Sequence, residues 1–129
     1  MSSSNRFSIS ERIRSFRFAF QGFKTLFLEE HNARVHLVAA VVAIILGFIL
    51  RISGNEWIAL CLVISLVLIC ELFNTSLEAL ADVVSPGKHP QIKKVKDLAA
   101  AAVLLSAGAA LVTGGIVFIP KIIDLCTNN

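Results

Sequence analysis

Four polar side chains, Glu71, Asn74, Glu78 and Asp82, recur at intervals of three, four and four along or just beyond a long apolar stretch. At about 100° per residue they share one helical face. The stretch opens W-I-A-L-C-L-V-I-S-L-V-L-I-C at Trp57 and has the character of a membrane span. A carboxylate at the bilayer centre costs roughly 2.5–3.5 kcal/mol on insertion scales. An acidic stripe in such a place must face a protein interior, a metal or a polar substrate.

Three further polar groups belong with the stripe. Glu29-Glu30-His31-Asn32-Ala33-Arg34-Val35-His36 precedes the first apolar run, Lys93-Lys94-Val95-Lys96-Asp97 precedes the last, and Arg12, Arg14 and Arg17 lie near the N-terminus. Glu78 is expected at the membrane height of Glu30. Two carboxylates at one height with lysines nearby resemble a site for a divalent cation and a phosphate, because Mg²⁺ takes one or two carboxylates and fills its shell with water and phosphate oxygens. Lys96 would act as a point charge on the phosphate, reinforced by the N-terminus of the third span. Glu71, about 10 Å deeper at 1.5 Å per residue, is placed to act as a general base on a hydroxyl held in the bilayer. Asn74 would orient either carboxylate, and Asp82 and Asp97 would hold the lysines. His31, His36 and His89 are scattered and form no zinc pattern. No P-loop, glycine-rich nucleotide fingerprint or kinase catalytic-loop motif is present. Cys61, Cys70 and Cys126 have neither metal-ligand spacing nor a pairing pattern, and the first two read as small apolar residues inside a span.

The elements that must position these groups follow from hydropathy and charge. The 129 residues are 56% hydrophobic, with a mean hydropathy of +0.78. That exceeds the roughly 45–50% of a soluble domain. The apolar runs are continuous and not alternating, which points to helices and excludes a barrel. The expectation is one all-α membrane domain over 1–129. It comprises a disordered tail at 1–8, a surface helix at 9–29 and transmembrane helices at 35–50, 57–80 and 98–119, the last stopping at Pro120. Ser8-Ile9-Ser10-Glu11 fits a capping box at the start of the surface helix. Phe16, Phe20, Phe23 and Phe27 then make an aromatic stripe against a basic remainder, the pattern of an amphipathic helix lying among headgroups.

Cationic residues gather before the first span and between the second and third, with only Arg51 and Lys121 elsewhere. The positive-inside rule therefore places the N-terminus and the second loop in the cytoplasm and the C-terminus outside. No secretory signal precedes the first run, and no nucleic-acid partner is expected. Ala99 to Ala102 and Gly108, Ala109, Ala110, Gly114 and Gly115 give the third span a close-packing surface. Three spans and one surface helix do not easily enclose an acidic stripe within one chain, so self-association is the expected remedy. A small oligomeric ion channel or transporter is the alternative from another class. It would need acidic groups through the whole membrane depth, yet between Ile58 and Cys70 only Ser65 is polar.

The blocks E-E-H-N-A-R-V-H, E-L-F-N-T-S-L-E-A-L-A-D and K-D-L-A-A-A-A-V-L-L resemble the small prokaryotic diacylglycerol kinase family, which includes the undecaprenol kinases. The likeness runs from about Arg14 to Ile119. It implies a homotrimeric lipid kinase of the bacterial inner membrane, with shared active sites, that moves the γ-phosphate of ATP with Mg²⁺ to a lipid hydroxyl at the cytoplasmic face. It further implies Glu71 as catalytic base, Glu30 and Glu78 as metal ligands, and Gly87, Lys88, His89, Lys96 and Asp97 as nucleotide contacts. The resemblance also implies that Asn74, Asp82 and Arg34 support the site and that Arg12 or Arg14 lies near the phosphates. Phe18 stands where some members have tyrosine. The E-x-N-x-R-x-H pattern before the first span is closer to the undecaprenol kinases, which favours undecaprenol over diacylglycerol as acceptor.

Overall fold

The computed structural model describes residues 8–127, which form four helices: α1 (Ile9–Glu29), α2 (His31–Ile49), α3 (Gly54–Val84) and α4 (Pro90–Thr127). The last three are long and apolar enough to cross a membrane. The tail expected over 1–8 lies outside the described residues except for Ser8. Ser8 is the N-cap of α1, but its side chain caps no backbone N–H, so the expected capping box does not form. Its hydroxyl pairs with that of Ser10 instead, at 2.8 Å.

Glu30, in extended conformation, joins α1 to α2 and serves as the C-cap of one and the N-cap of the other. Leu26, one turn before this corner, is 1% exposed, whereas Phe16 and Phe20 are open. Only the end of α1 is therefore anchored against the bundle. Arg34 reaches back to donate Nη2 to the carbonyl of Leu28 at 2.7 Å, satisfying an acceptor that the helix end leaves without an intrahelical partner.

α2 ends in a Schellman arrangement. Arg51 takes a left-handed φ of 49°, and the amides of Ile52 and Arg51 donate to the carbonyls of Gly47 and Phe48 at 3.1 and 3.3 Å. Ser53 and Glu56 then form the reciprocal capping box that opens α3, with bonds of 2.6 and 3.4 Å. Helix α3 thus begins ahead of Trp57. It ends at Val84, since the residue before a proline, here Ser85, is disfavoured in helix. Its 31 residues make a helix of about 46 Å, longer than a hydrocarbon core of about 30 Å. Some of its polar face must therefore emerge.

α4 departs from the expectation at both ends. It begins at Pro90, the favoured first helical position, with His89 Nδ1 accepting from the amide of Gln91 at 3.2 Å. Lys93 to Asp97 are consequently helical and not part of a loosely ordered loop. Nor does Pro120 stop the third span: the helix continues through it to Thr127. Proline removes a single backbone bond, and transmembrane helices tolerate that where neighbours re-satisfy the freed carbonyl.

α3 packs chiefly along α4, and α1 and α2 touch it less extensively. A cluster of Ile52, Leu60 and Val117, backed by Trp57, Ile64 and Phe118, closes the end of the bundle nearest the α2–α3 turn.

Candidate functional site

The opposite half of the bundle holds the acidic stripe. Glu71 is 2% exposed and lies on the face of α3 turned toward α2. A single chain therefore encloses this one carboxylate. The corner at Glu30 makes this possible by turning the end of α1 back beside α2 and α3. Asn74 and Glu78 remain half-buried and Asp82 exposed, as the helix rises out of the bundle.

Asn74 Nδ2 donates to Glu78 Oε1 at 3.3 Å, so the amide orients one of the two carboxylates beside it. Glu30 sits at the α1–α2 corner, and both α1 and α2 pack against α3, which carries Glu71 and Glu78. Lys96 Nζ donates to Asp82 Oδ1 at 2.6 Å, linking α4 to the end of the stripe. This bond to Asp82 holds the Lys96 ammonium above the ordinary lysine range, and Glu78 adds to the effect.

The structure therefore gathers Glu71, Glu30, Asn74, Glu78, Asp82 and Lys96. The other expected residues have different surroundings. Asp97 pairs with Lys93 and is largely exposed. Gly87 and Lys88 lie in the open turn between α3 and α4, and the His89 ring caps α4. Arg34 is committed to Leu28, while Arg12 and Arg14 are exposed in the first half of α1. The N-terminus of α4 is six residues before Lys96 and is occupied within the chain: Pro90 has no N–H, and the amides of Gln91 and Lys93 donate to His89 Nδ1 and its carbonyl at 3.2 and 3.0 Å.

Two residues of this cluster escaped the sequence reading. His36 is not an isolated histidine: its Nε2 lies 3.3 Å from Glu71 Oε1. The signal was available, because His36 is a polar group just inside the first apolar run and the rule that singled out Glu71 applies to it equally. Thr75, four residues after Glu71, shares its helical face. Three buried polar atoms, Glu71 Oε1, Asn74 Oδ1 and Thr75 Oγ1, have no hydrogen-bond partner. For Glu71 the nearby imidazole is in contact but not aligned for a hydrogen bond. Unpaired buried acceptors cost about 1–3 kcal/mol each. Three within five residues mark a place prepared for something polar.

Divalent-cation binding can be weighed on the same groups. Among the described residues no group of three or more histidine, cysteine or acidic side chains is close enough to hold a metal on its own. Glu30 and Glu78 supply two carboxylates, the number Mg²⁺ takes from protein when phosphate oxygens and water complete its shell. They fit an ion brought in with a nucleotide.

A bundle of three apolar helices with a buried, incompletely satisfied carboxylate cluster at one end defines a membrane protein built around a polar site. The Prokaryotic diacylglycerol kinase family model matches residues 17–118, and the chain belongs to that family of lipid kinases. It is 38% identical over 112 residues to a diacylglycerol kinase of Synechocystis, covering 86% of this chain and 64% of that one. It is 32% identical over 121 residues to the undecaprenol kinase of Bacillus subtilis, covering 94% and 98%. A diacylglycerol kinase of Pseudomonas aeruginosa is 34% identical over 96 residues, 74% of this chain and 78% of that one.

Proposed function

We propose that the protein transfers the γ-phosphate of ATP, bound with Mg²⁺, to the hydroxyl of a membrane lipid at the cytoplasmic face. The observation that carries this reading is Glu71, a carboxylate buried among apolar helices with one oxygen lacking a hydrogen bond. It is the general base: it takes the hydroxyl proton as the lipid oxygen attacks the γ-phosphorus and ADP departs. The Thr75 hydroxyl, which has no partner of its own beside it, can donate to the lipid oxygen and hold it on line, while Asn74 keeps Glu78 oriented.

Glu30 and Glu78 would hold the metal, which when bound neutralises phosphate charge. Lys96 contributes a point charge for the phosphates once its bond to Asp82 is exchanged. Gly87, Lys88, His89 and Asp97, with Arg12 or Arg14, complete the nucleotide contacts, and Arg34 steadies the corner that carries Glu30. In the membrane, α1 lies among headgroups with Phe16 and Phe20 toward the acyl chains and the N-terminus in the cytoplasm of a bacterial cell. The open apolar faces of the spans, including the shallow groove of Ala101, Leu104, Leu105 and Gly108, support assembly as a homotrimer with shared sites.

Undecaprenol is the preferred acceptor, supported by the Bacillus relative aligned over nearly the whole of both chains. The test is purified protein in lipid with radiolabelled ATP and Mg²⁺, offered undecaprenol and diacylglycerol in parallel. Labelled undecaprenyl phosphate is expected. Label on neither lipid overturns the kinase reading, and label on diacylglycerol alone overturns the choice of acceptor.

A further inference from the structure

A base enclosed in the bilayer must discard its proton after each turnover, and the groups around Glu71 differ sharply in whether they can receive it. Glu30, at the corner, and Glu78, on α3, are committed to the metal in the reading above. The guanidinium of Arg34 and the ammonium of Lys96 are donors without a lone pair to offer, and both are engaged, with Leu28 and Asp82. The Asn74 amide and Thr75 hydroxyl are not basic. His36 remains. Its Nε2 is 3.3 Å from Glu71 Oε1, and its side chain is 24% exposed where that of Glu71 is 2% exposed. His36 is the sixth residue of α2, at the helix end that meets the Glu30 corner, so the pair leads from the buried carboxylate toward the headgroup end of the span, and imidazole is the side chain suited to taking up and releasing a proton near neutral pH.

We propose that His36 is the positioning partner of Glu71 and carries its proton away. This rests on Glu71 being the base. After phosphate transfer the Glu71 O–H bond breaks and a bond from that proton to His36 Nε2 forms, using the ring's lone pair. Glu71 returns to the carboxylate. The imidazolium then gives one proton to bulk water and is neutral again, so each cycle exports the single proton that the lipid hydroxyl lost.

The test compares full-length wild type, H36Q, H36A and E71Q in lipid vesicles with undecaprenol and MgATP. The glutamine amide can still donate to the carboxylate but cannot accept its proton. H36Q is therefore expected to lose about 100-fold in kcat with KM for ATP unchanged. H36A should regain rate in a saturable way on addition of free imidazole, which should leave wild type and H36Q unaffected. H36Q retaining half or more of the wild-type kcat overturns the proposal, as does a folded H36A that imidazole does not rescue. If H36A fails to fold, H36Q decides alone. Full activity in E71Q would instead remove the base reading, whereas an inactive E71Q beside a fully active H36Q removes only the proton carrier.

Discussion

The two ends of the bundle treat their polar groups in opposite ways. At the Trp57 end, Glu56 caps α3 through Ser53 and also meets Lys121 of α4 at 3.2 Å. There the backbone turn is closed by paired amides, and Trp57 fills the space over Gly47. At the Glu71 end, three buried oxygens lack partners and the nearest imidazole is misaligned. A polar group that is fully bonded within the chain is serving the fold. One left unbonded at a cost of about 1–3 kcal/mol is, in the function proposed above, held for a ligand, and the contrast lets the two roles be separated experimentally.

The largest expected effect comes from the unsatisfied end. Glu71→Gln keeps the shape and removes the proposed base, so phosphate transfer should fall on the order of 10²–10⁴-fold while the unfolding midpoint in detergent stays within a few degrees of wild type. A strong loss of stability with activity retained would reverse the roles assigned to the two ends.

Next in size is a change at the satisfied end. A Cβ on Gly47 would stand 2.8 Å from the tip of the Trp57 ring and 3.1 Å from Ile52, and the ring is already tilted against Phe48 with centroids 4.8 Å apart. Gly47→Leu should destabilise by about 1–3 kcal/mol, the usual cost of overpacking. Thermal unfolding would read this directly, and the specific activity of the folded fraction should not change.

What could be read from the residues alone follows the same division. The stripe of Glu71, Asn74 and Glu78 was legible because a helical period places it on one face, and the three apolar spans were legible from hydropathy. The His36–Glu71 contact was not, because it joins two helices and no spacing along one chain encodes it. Thr75 was visible only as part of a motif. Its unsatisfied state becomes informative beside Ser76, whose hydroxyl bonds the Leu72 carbonyl at 2.7 Å. Pro120 misled because its penalty is that of an exposed soluble helix, and the start of α4 was missed because the span was counted from its apolar run at 98, whereas the helix opens at Pro90 with a polar first stretch.

A smaller effect is expected at Arg51. Its left-handed backbone is strained for any residue with a Cβ, and a glycine would adopt it freely. Arg51→Gly should therefore stabilise the α2–α3 turn by up to about 1 kcal/mol, seen as a modest rise in unfolding midpoint. No rise would mean that the arginine side chain makes up for the strain, and the satisfied end would then depend on more than its backbone bonds.

The smallest effect is a dependence on acidity confined to the same end. The backbone hydrogen bond from Ser53, with its hydroxyl and Lys121, lowers the Glu56 carboxyl below its ordinary value. A carboxyl depressed in the folded state contributes stability that is full above its unfolded value, about pH 4.5, and is lost as pH falls through the folded one. Wild type should therefore lose stability relative to Glu56→Gln as pH is lowered below about 4.5, with the gap between them constant at higher pH. The site is solvent-exposed and the gap should be small. A gap that opened instead well above pH 4.5 would mean that Glu56 is not the group responsible, and the clean separation of the two ends would fail.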